Sequence, residues 1–293
     1  MHIGEALAQA AIQLRNQGVE SPRLDAELLL AHVLGVNRAS ILAWPDQSLK
    51  PKELTRYRDL VSRRADREPL AYIVGHREFF GLDLIVDRRV LIPRPETELL
   101  VEHALLLARR ITRLRIPSVE IADVGAGSGA IAVTLAVHLP HAMVYALDES
   151  PGALAVVAEN ARRHDVANRI HCLPSDLLSS LPGPLDLITA NLPYVTTAEW
   201  QELVPEIRDH EPRAALDGGL DGLTLIRRLL ATAGSYLQPG GALLLEIGAS
   251  QGAAVTALAR ENFPQAEVKL YQDYAGLDRL VIVEAQRSPA KRS

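Results

Sequence analysis

The stretch Glu267-Val268-Lys269-Leu270-Tyr271-Gln272-Asp273, Tyr274-Ala275-Gly276-Leu277-Asp278, Arg279-Leu280-Val281-Ile282-Val283-Glu284 decides how this chain folds. Its two flanks read as strands, and five residues separate them. A crossover between parallel neighbours needs a dozen residues or more, so these two strands must be antiparallel. Upstream the pattern differs. Val119-Glu120-Ile121-Ala122-Asp123-Val124 reads as a strand, and Gly125-Ala126-Gly127-Ser128-Gly129 follows it directly. The helical run Ala130-Ile131-Ala132-Val133-Thr134-Leu135-Ala136 comes next, then a second strand, Met143-Val144-Tyr145-Ala146-Leu147, closed by Asp148. That is a β-α-β unit with parallel strands. The fold expected is therefore α/β, a doubly wound seven-stranded sheet with a terminal antiparallel hairpin.

The glycine loop carries chemistry. Alternating glycines let backbone approach a ligand closely, with the N–H groups of a helix N-terminus facing it. Asp148, 19 residues past Gly129, offers a carboxylate to both hydroxyls of a ribose. The unit indicates an adenosine-containing ligand. It does not say which one, because Gly125-x-Gly127-x-x-Ala130 also satisfies the relaxed dinucleotide pattern and keeps NAD in view. The terminal hairpin favours the class I S-adenosylmethionine methyltransferase pattern over that of nicotinamide dehydrogenases.

A third strand, Leu185-Asp186-Leu187-Ile188-Thr189-Ala190, ends in Asn191-Leu192-Pro193-Tyr194. The Asn191 side-chain oxygen and the Leu192 backbone carbonyl can each accept one N–H of an NH2 group, and the Tyr194 ring can stack on a planar amide. With both hydrogens held, the nitrogen lone pair points one way. The bland reading is a strand-ending turn with a core tyrosine, and the tetrapeptide alone does not decide between the two.

Three further segments are more specific: Leu91-Ile92-Pro93-Arg94-Pro95-Glu96-Thr97-Glu98-Leu99-Leu100-Val101-Glu102; His210-Glu211-Pro212-Arg213-Ala214-Ala215-Leu216-Asp217-Gly218-Gly219-Leu220-Asp221-Gly222-Leu223; and Leu244-Leu245-Glu246-Ile247-Gly248. With these, the chain resembles the PrmC/HemK-type release factor glutamine methyltransferases over essentially its whole length. The resemblance implies S-adenosylmethionine as methyl donor and class 1 peptide chain release factors as protein substrate. The target would be the glutamine of their Gly-Gly-Gln motif, methylated at the side-chain amide nitrogen. Residues Asn191, Leu192, Pro193 and Tyr194 would form the catalytic and substrate-binding element. Gly125, Ala126, Gly127, Ser128 and Gly129 would hold the methionine part of the donor, Asp148 its ribose, and Asp176 and Leu177 would flank the adenine, with Asn191 also beside the donor. Leu192 stands where the family usually has proline; the carbonyl it supplies is the same, at some loss of rigidity. Arg94, Glu96 and Thr97, in a family motif, would close over the donor or pin the interdomain linker, with nothing to decide which, while Glu211 and Arg213 read equally well as a structural ion pair.

Composition bounds the rest. The chain has 293 residues, 48% hydrophobic and 23% charged, the profile of an ordinary globular protein large enough for two domains. Cys172 is the one cysteine, read as a buried strand thiol. The N-terminus lacks a basic-then-apolar signal segment and no run is long enough to span a bilayer, so a cytoplasmic location and no membrane partner are expected. The nine histidines are scattered, and no metal is expected. Residues 1–90 carry 13 basic and 12 acidic side chains, and residues 91–293 carry 18 and 24, an acidic balance that argues against direct nucleic-acid binding. Arg56, Arg58, Arg63, Arg64 and Arg67 read as a solvated helix face.

Apolar spacing predicts helices over Ile3–Gln17, from Pro22 to Leu34 stopped by Gly35, and from Pro51 to about Ala65. The domains expected are a helical substrate-docking bundle over 1–70, a hairpin linker over 71–92 built from Tyr72-Ile73-Val74 and 79–86, the methyltransferase domain over 93–287, and a tail over 288–293. Two rivals stand beside this reading. One is an RNA N6-adenine methyltransferase, which also uses Asn-Leu-Pro-Tyr. The other is a nicotinamide-linked dehydrogenase or nucleotide-binding module. A glutamine methyltransferase acting on a ribosomal protein would look nearly the same as the chosen reading.

Overall fold

The computed structural model describes residues 1–114 and 118–286, so the expected tail lies outside the described residues. Helices Ile3–Asn16 (α1), Pro22–Leu34 (α2), Arg38–Ala43 (α3), Pro51–Ala65 (α4) and Leu70–Val74 (α5) come first. The strands His76–Phe79 (β1) and Leu82–Ile85 (β2) follow, then Glu98–Leu114 (α6), Val119–Val124 (β3), Ala130–His138 (α7), Ala142–Asp148 (β4) and Pro151–Arg163 (α8). The remainder is Ile170–Pro174 (β5), Leu185–Ala190 (β6), Thr197–Glu202 (α9), Pro205–Arg208 (α10), Thr224–Ala233 (α11), Leu237–Glu246 (β7), Gly252–Asn262 (α12), Glu267–Gln272 (β8) and Asp278–Glu284 (β9).

Among the described residues β3 to β9 form one seven-stranded sheet in the order β5-β4-β3-β6-β7-β9-β8. The first five strands run parallel, and β9 is antiparallel to both β7 and β8. The expected doubly wound sheet with its terminal hairpin is therefore present. Its central strands are buried on both faces, which is why they read as continuous apolar runs. Alternate residues feed two cores: Ile121, Leu187, Leu244 and Ile282 enter the one under α6 and α7, and Ala122, Ile188, Leu243 and Val281 enter the one under α11 and α12. β3 is followed by a crossover to β4 on one side, while β6 lies on its other side with Val124 opposite Ala190. The loops leaving β3 and β6 are therefore neighbours at the point where strand order reverses, the usual ligand position in such sheets.

The chain divides into two compact units, Met1–His76 with Val204–His210, and the rest. In the first, Ala6, Leu7, Ala10 and Leu14 of α1 are buried, and Gly35 ends α2 in the left-handed conformation. The Ser21 side chain makes no capping bond. The short α3 has no counterpart in the apolar spacing; Asn37 caps it by accepting from the Ser40 N–H at 2.9 Å.

Two expectations need correction. Tyr72, Ile73 and Val74 are helical, not a strand: they lie in one turn between Pro69 and a left-handed Gly75, with Tyr72 and Ile73 buried. The hairpin is β1–β2 alone, turning at Phe80 and Gly81, both at positive φ as a two-residue turn demands. The arginine cluster is not one solvated face. Arg56, Arg58 and Arg63 are exposed, but Arg64 is buried, donating to Asp25 at 2.7 Å and to Glu206 at 3.0 Å. Arg67 also donates to Glu206, at 2.5 Å.

Cys172 sits half-buried in β5, where burial pushes its thiol up. No described helix is long and apolar enough to cross a membrane, and no group of three or more metal-ligating side chains occurs among the described residues.

Candidate functional site

At the carboxyl ends of β3, β4 and β6, within the second unit, lies a cavity of about 250 Å3. Gly125, Gly127, Asp148, Leu177, Asn191, Leu192 and Pro193 contribute to its wall. Gly125 and Gly127 both sit at positive φ. At Gly125 a Cβ would stand 3.2 Å from the Leu192 Cδ2 and 3.6 Å from the Asn191 carbonyl oxygen, so the two loops meet at a contact that only glycine leaves unstrained. Ala126, Ser128 and Gly129 do not border the cavity. Ala126 and Ser128 are buried, and Gly129 lies against Val157 and Val133. The Asp148 carboxylate is aimed by two backbone donors, Gly127 N–H at 2.9 Å and Ser150 N–H at 2.8 Å. Leu177 borders the cavity in a left-handed conformation, whereas Asp176 does not and pairs instead with Arg228 at 2.6 Å.

Next to it is a smaller hollow of about 40 Å3 lined by Leu91, Arg94, Asn191, Leu192, Tyr194, Val195, Ala215 and Leu216. Asn191 and Leu192 border both spaces; Tyr194 borders only the smaller, and Pro193 only the larger. Leu192 is itself buried in the core under α11, so its side chain anchors the loop.

The loop is clamped from behind. Gln251 donates to the Tyr194 carbonyl at 2.9 Å while accepting from Gly248 N–H at 2.9 Å. Val195 N–H donates to Leu216, and Gly218 N–H donates back to Val195 at 2.7 Å. Gly222 lies so close to the Tyr194 carbonyl that a Cβ would collide with it, and its φ is +71°. Gly218 is as tight, a Cβ there standing 2.5 Å from the Pro193 carbonyl oxygen, so these two glycines admit backbone against the tetrapeptide, while Gly219 leaves room for the Thr224 side chain. Glu211 and Arg213 are not paired with one another. Glu211 accepts from Arg94 at 2.6 Å and from Ile92 N–H at 3.1 Å, while Arg213 pairs with Asp217 at 2.7 Å and lies over the Trp200 ring.

Three buried polar groups surround the site without having been singled out as functional. Thr97 is 4% exposed and accepts from the Asn191 Nδ2 at 3.1 Å. Glu246, at the end of β7, accepts from the Tyr194 hydroxyl at 3.4 Å, and its Oε2 is buried with no partner. Burial pushes the Glu246 carboxyl up to about 7, against the downward pull of the Thr97 hydroxyl, Arg279 and the Tyr194 hydroxyl, with Glu96 adding to the rise. Burial likewise pushes Tyr194 up to about 12, helped by Glu246. Burial drives Asp123, in β3, up to about 7, although the Thr189 hydroxyl and Ala132 N–H both donate to it at 3.1 Å. A lone acid inside an apolar strand, as in Leu244-Leu245-Glu246, is the signal that points to Glu246; Thr97 is marked only by its place in the 91–102 segment.

Known proteins resemble this chain over most of its length. The PrmC N-terminal domain matches residues 5–75, and the Methyltransferase small domain matches residues 97–214. The release factor glutamine methyltransferase of Geobacter sulfurreducens is 44% identical over 270 residues, covering 92% of this chain and 91% of that protein. This chain belongs to the release factor glutamine methyltransferase family. It is accordingly a protein-glutamine methyltransferase. Another member, from Moorella thermoacetica, is 46% identical over 280 residues, 95% of this chain and 97% of that one. Among solved structures, a methyltransferase from Pyrococcus furiosus shares the fold with a TM-score of 0.52 at 16% identity, over 71% of this chain and 90% of its own.

Proposed function

We propose that the enzyme transfers a methyl group from S-adenosylmethionine to the side-chain amide nitrogen of the glutamine in the Gly-Gly-Gln motif of class 1 release factors. The observation that supports this best is the meeting of two spaces at Asn191 and Leu192. One is walled by a glycine loop and an acid suited to a nucleoside; the other is a small, mostly apolar hollow that Asn191 and Tyr194 border, suited to an amide. The larger space fits the donor: a Cβ at Gly127 would meet only the Gly125 carbonyl, 3.9 Å away, so its backbone faces room, and the oriented Asp148 carboxylate suits ribose hydroxyls. Gly125, Gly127, Asp148 and Leu177 would hold it.

When bound, the donor supplies a methyl already activated on a sulfonium centre. The chain's task is then to make a poor nucleophile available. An amide nitrogen shares its lone pair with its carbonyl, and two acceptors on its hydrogens help localise that pair. Asn191 Oδ1 and the Leu192 carbonyl take those roles, with Tyr194 packed on the amide plane. They also stabilise the positive charge that grows on nitrogen. Positioning of this kind supplies several kcal/mol of a barrier. Residues 1–70 we assign to docking the release factor, since a lone glutamine would need no helical unit, and the site of action to the cytoplasm, where translation ends.

The test is transfer of labelled methyl from S-adenosylmethionine to a purified class 1 release factor with its Gly-Gly-Gln glutamine intact or changed to alanine. Label on the intact protein alone is the expected result. Label on neither, with the donor shown to bind, would direct the search to ribosomal protein or RNA.

A further inference from the structure

We propose that Thr97 is a positioning residue that turns the Asn191 side chain so that its oxygen, and not its NH2, faces the substrate amide. The inference deepens the proposed methyl transfer and rests on it. A primary amide has one accepting and one donating end, and rotation by half a turn exchanges them. At Asn191 the choice decides function. An oxygen facing the small hollow accepts from the substrate NH2, whereas an NH2 there sets donor against donor and leaves the incoming group unpaired.

Thr97 makes the choice. Its Oγ1 receives the Asn191 Nδ2 at 3.1 Å, which commits the donating end. Thr97 borders neither of the two spaces that Asn191 borders, and it is buried, so the committed end is the one away from them. The hydroxyl is itself constrained. Thr97 opens α6 through a single tight turn, Pro95–Thr97, whose last N–H donates to the Arg94 carbonyl at 3.2 Å. It also lies near the buried Glu246, whose carboxyl its hydroxyl helps hold down against burial. A hydroxyl oxygen has two lone pairs, and the Asn191 Nδ2 takes one of them. Glu246 receives the Tyr194 hydroxyl, so both groups that fix the tetrapeptide from behind are buried polar ones.

The experiment uses the full chain as wild type, Thr97→Val and Thr97→Ser. Valine keeps the shape and removes the hydroxyl; serine keeps the hydroxyl. Two readouts are taken. The first is the side-chain NH2 signal of Asn191 in protein labelled with 15N-asparagine, assigned by its absence in Asn191→Ala. The second is kcat and KM for methyl transfer from S-adenosylmethionine to a class 1 release factor. The expected result in Thr97→Val is loss of the exchange protection on one Asn191 amide proton and a fall in kcat of roughly tenfold to a hundredfold, with KM for both substrates unchanged. Thr97→Ser restores both. An Asn191 signal unchanged in Thr97→Val overturns the proposal, as does a changed signal with undiminished kcat, or a serine variant as impaired as the valine one. Absence of transfer by the wild type would instead refute the proposed function, and the spectra would still decide the orientation of Asn191.

Discussion

Asn191 stands at the junction of the two spaces, and its substitution separates their roles. On the proposed mechanism, Asn191→Ala removes an acceptor for the substrate amide but leaves the glycine loop and Asp148 untouched. Turnover should fall by about a hundredfold or more while donor affinity changes little. Steady-state kinetics alongside calorimetric titration of S-adenosylmethionine would read both, and equal losses in the two would sink the assignment. Glu246 gives a residue-scale prediction of another kind. Burial raises its carboxyl to about 7, so between the ordinary glutamate range and pH 7 the folded chain holds a proton that the unfolded chain has released. Its contribution to stability therefore falls as pH rises through that window and stays low above it. Wild type must be compared with Glu246→Gln, because Asp123 adds the same trend while His32 and His103, lowered by burial, run the other way. Relative to wild type, the glutamine variant should gain up to about 3 kcal/mol between pH 5 and pH 8 in urea unfolding. A difference that does not vary with pH would show that the carboxyl is not held protonated.

At the scale of elements, the segments easiest to read were those whose burial is uniform. β3 and β6 are covered on both faces, so an apolar run and a following glycine or asparagine were enough to find them, while β4 was found by its apolar run and the acid that closes it. The short hairpin was harder. Tyr72-Ile73-Val74 has strand-like composition, and only the left-handed Gly75 after it makes a helical turn. Site legibility followed the same division. Gly125, Gly127, Asp148, Leu177 and the 191–194 tetrapeptide lie on the two spaces because strand ends deliver them there. Asp176 falls away to Arg228, since a single residue's direction in a turn depends on backbone angles that no spacing reveals. Thr97 was marked by its motif, but its contact with Asn191 was illegible because that partner is 94 residues away. The 217–222 loop yields a test at this scale. Gly222→Ala would drive a methyl into the Tyr194 carbonyl at a backbone angle that suits glycine, pushing the tetrapeptide off its position. The variant should fold with a lowered melting temperature, consistent with strain of about 1–3 kcal/mol, and transfer methyl far more slowly. Wild-type rates would mean that the loop's closeness is incidental.

Across the whole molecule, strand order was accessible because right-handed crossovers leave few ways to arrange a β-α-β series that ends in a hairpin. What stayed hidden was the division of the chain. Residues 204–210 belong with the first 76, yet α10 is four residues long and its Glu206 meets Arg64 across 142 positions. Nothing in a local pattern announces such a return. A fragment of residues 1–76 should accordingly melt at lower temperature than the helical unit does within the full chain, because Arg64 and Arg67 lose Glu206. Equal melting by circular dichroism would show the return to be dispensable. The feature also bears on heredity. A unit written in two separate stretches of gene cannot be exchanged between relatives by a single crossover. Recombinants joined near residue 77 would combine one parent's arginines with the other parent's 204–210. Such a chain changes its helical unit only by keeping both stretches in step, which ties the divergence of that unit to a segment just beyond the loop of Asn191 to Tyr194.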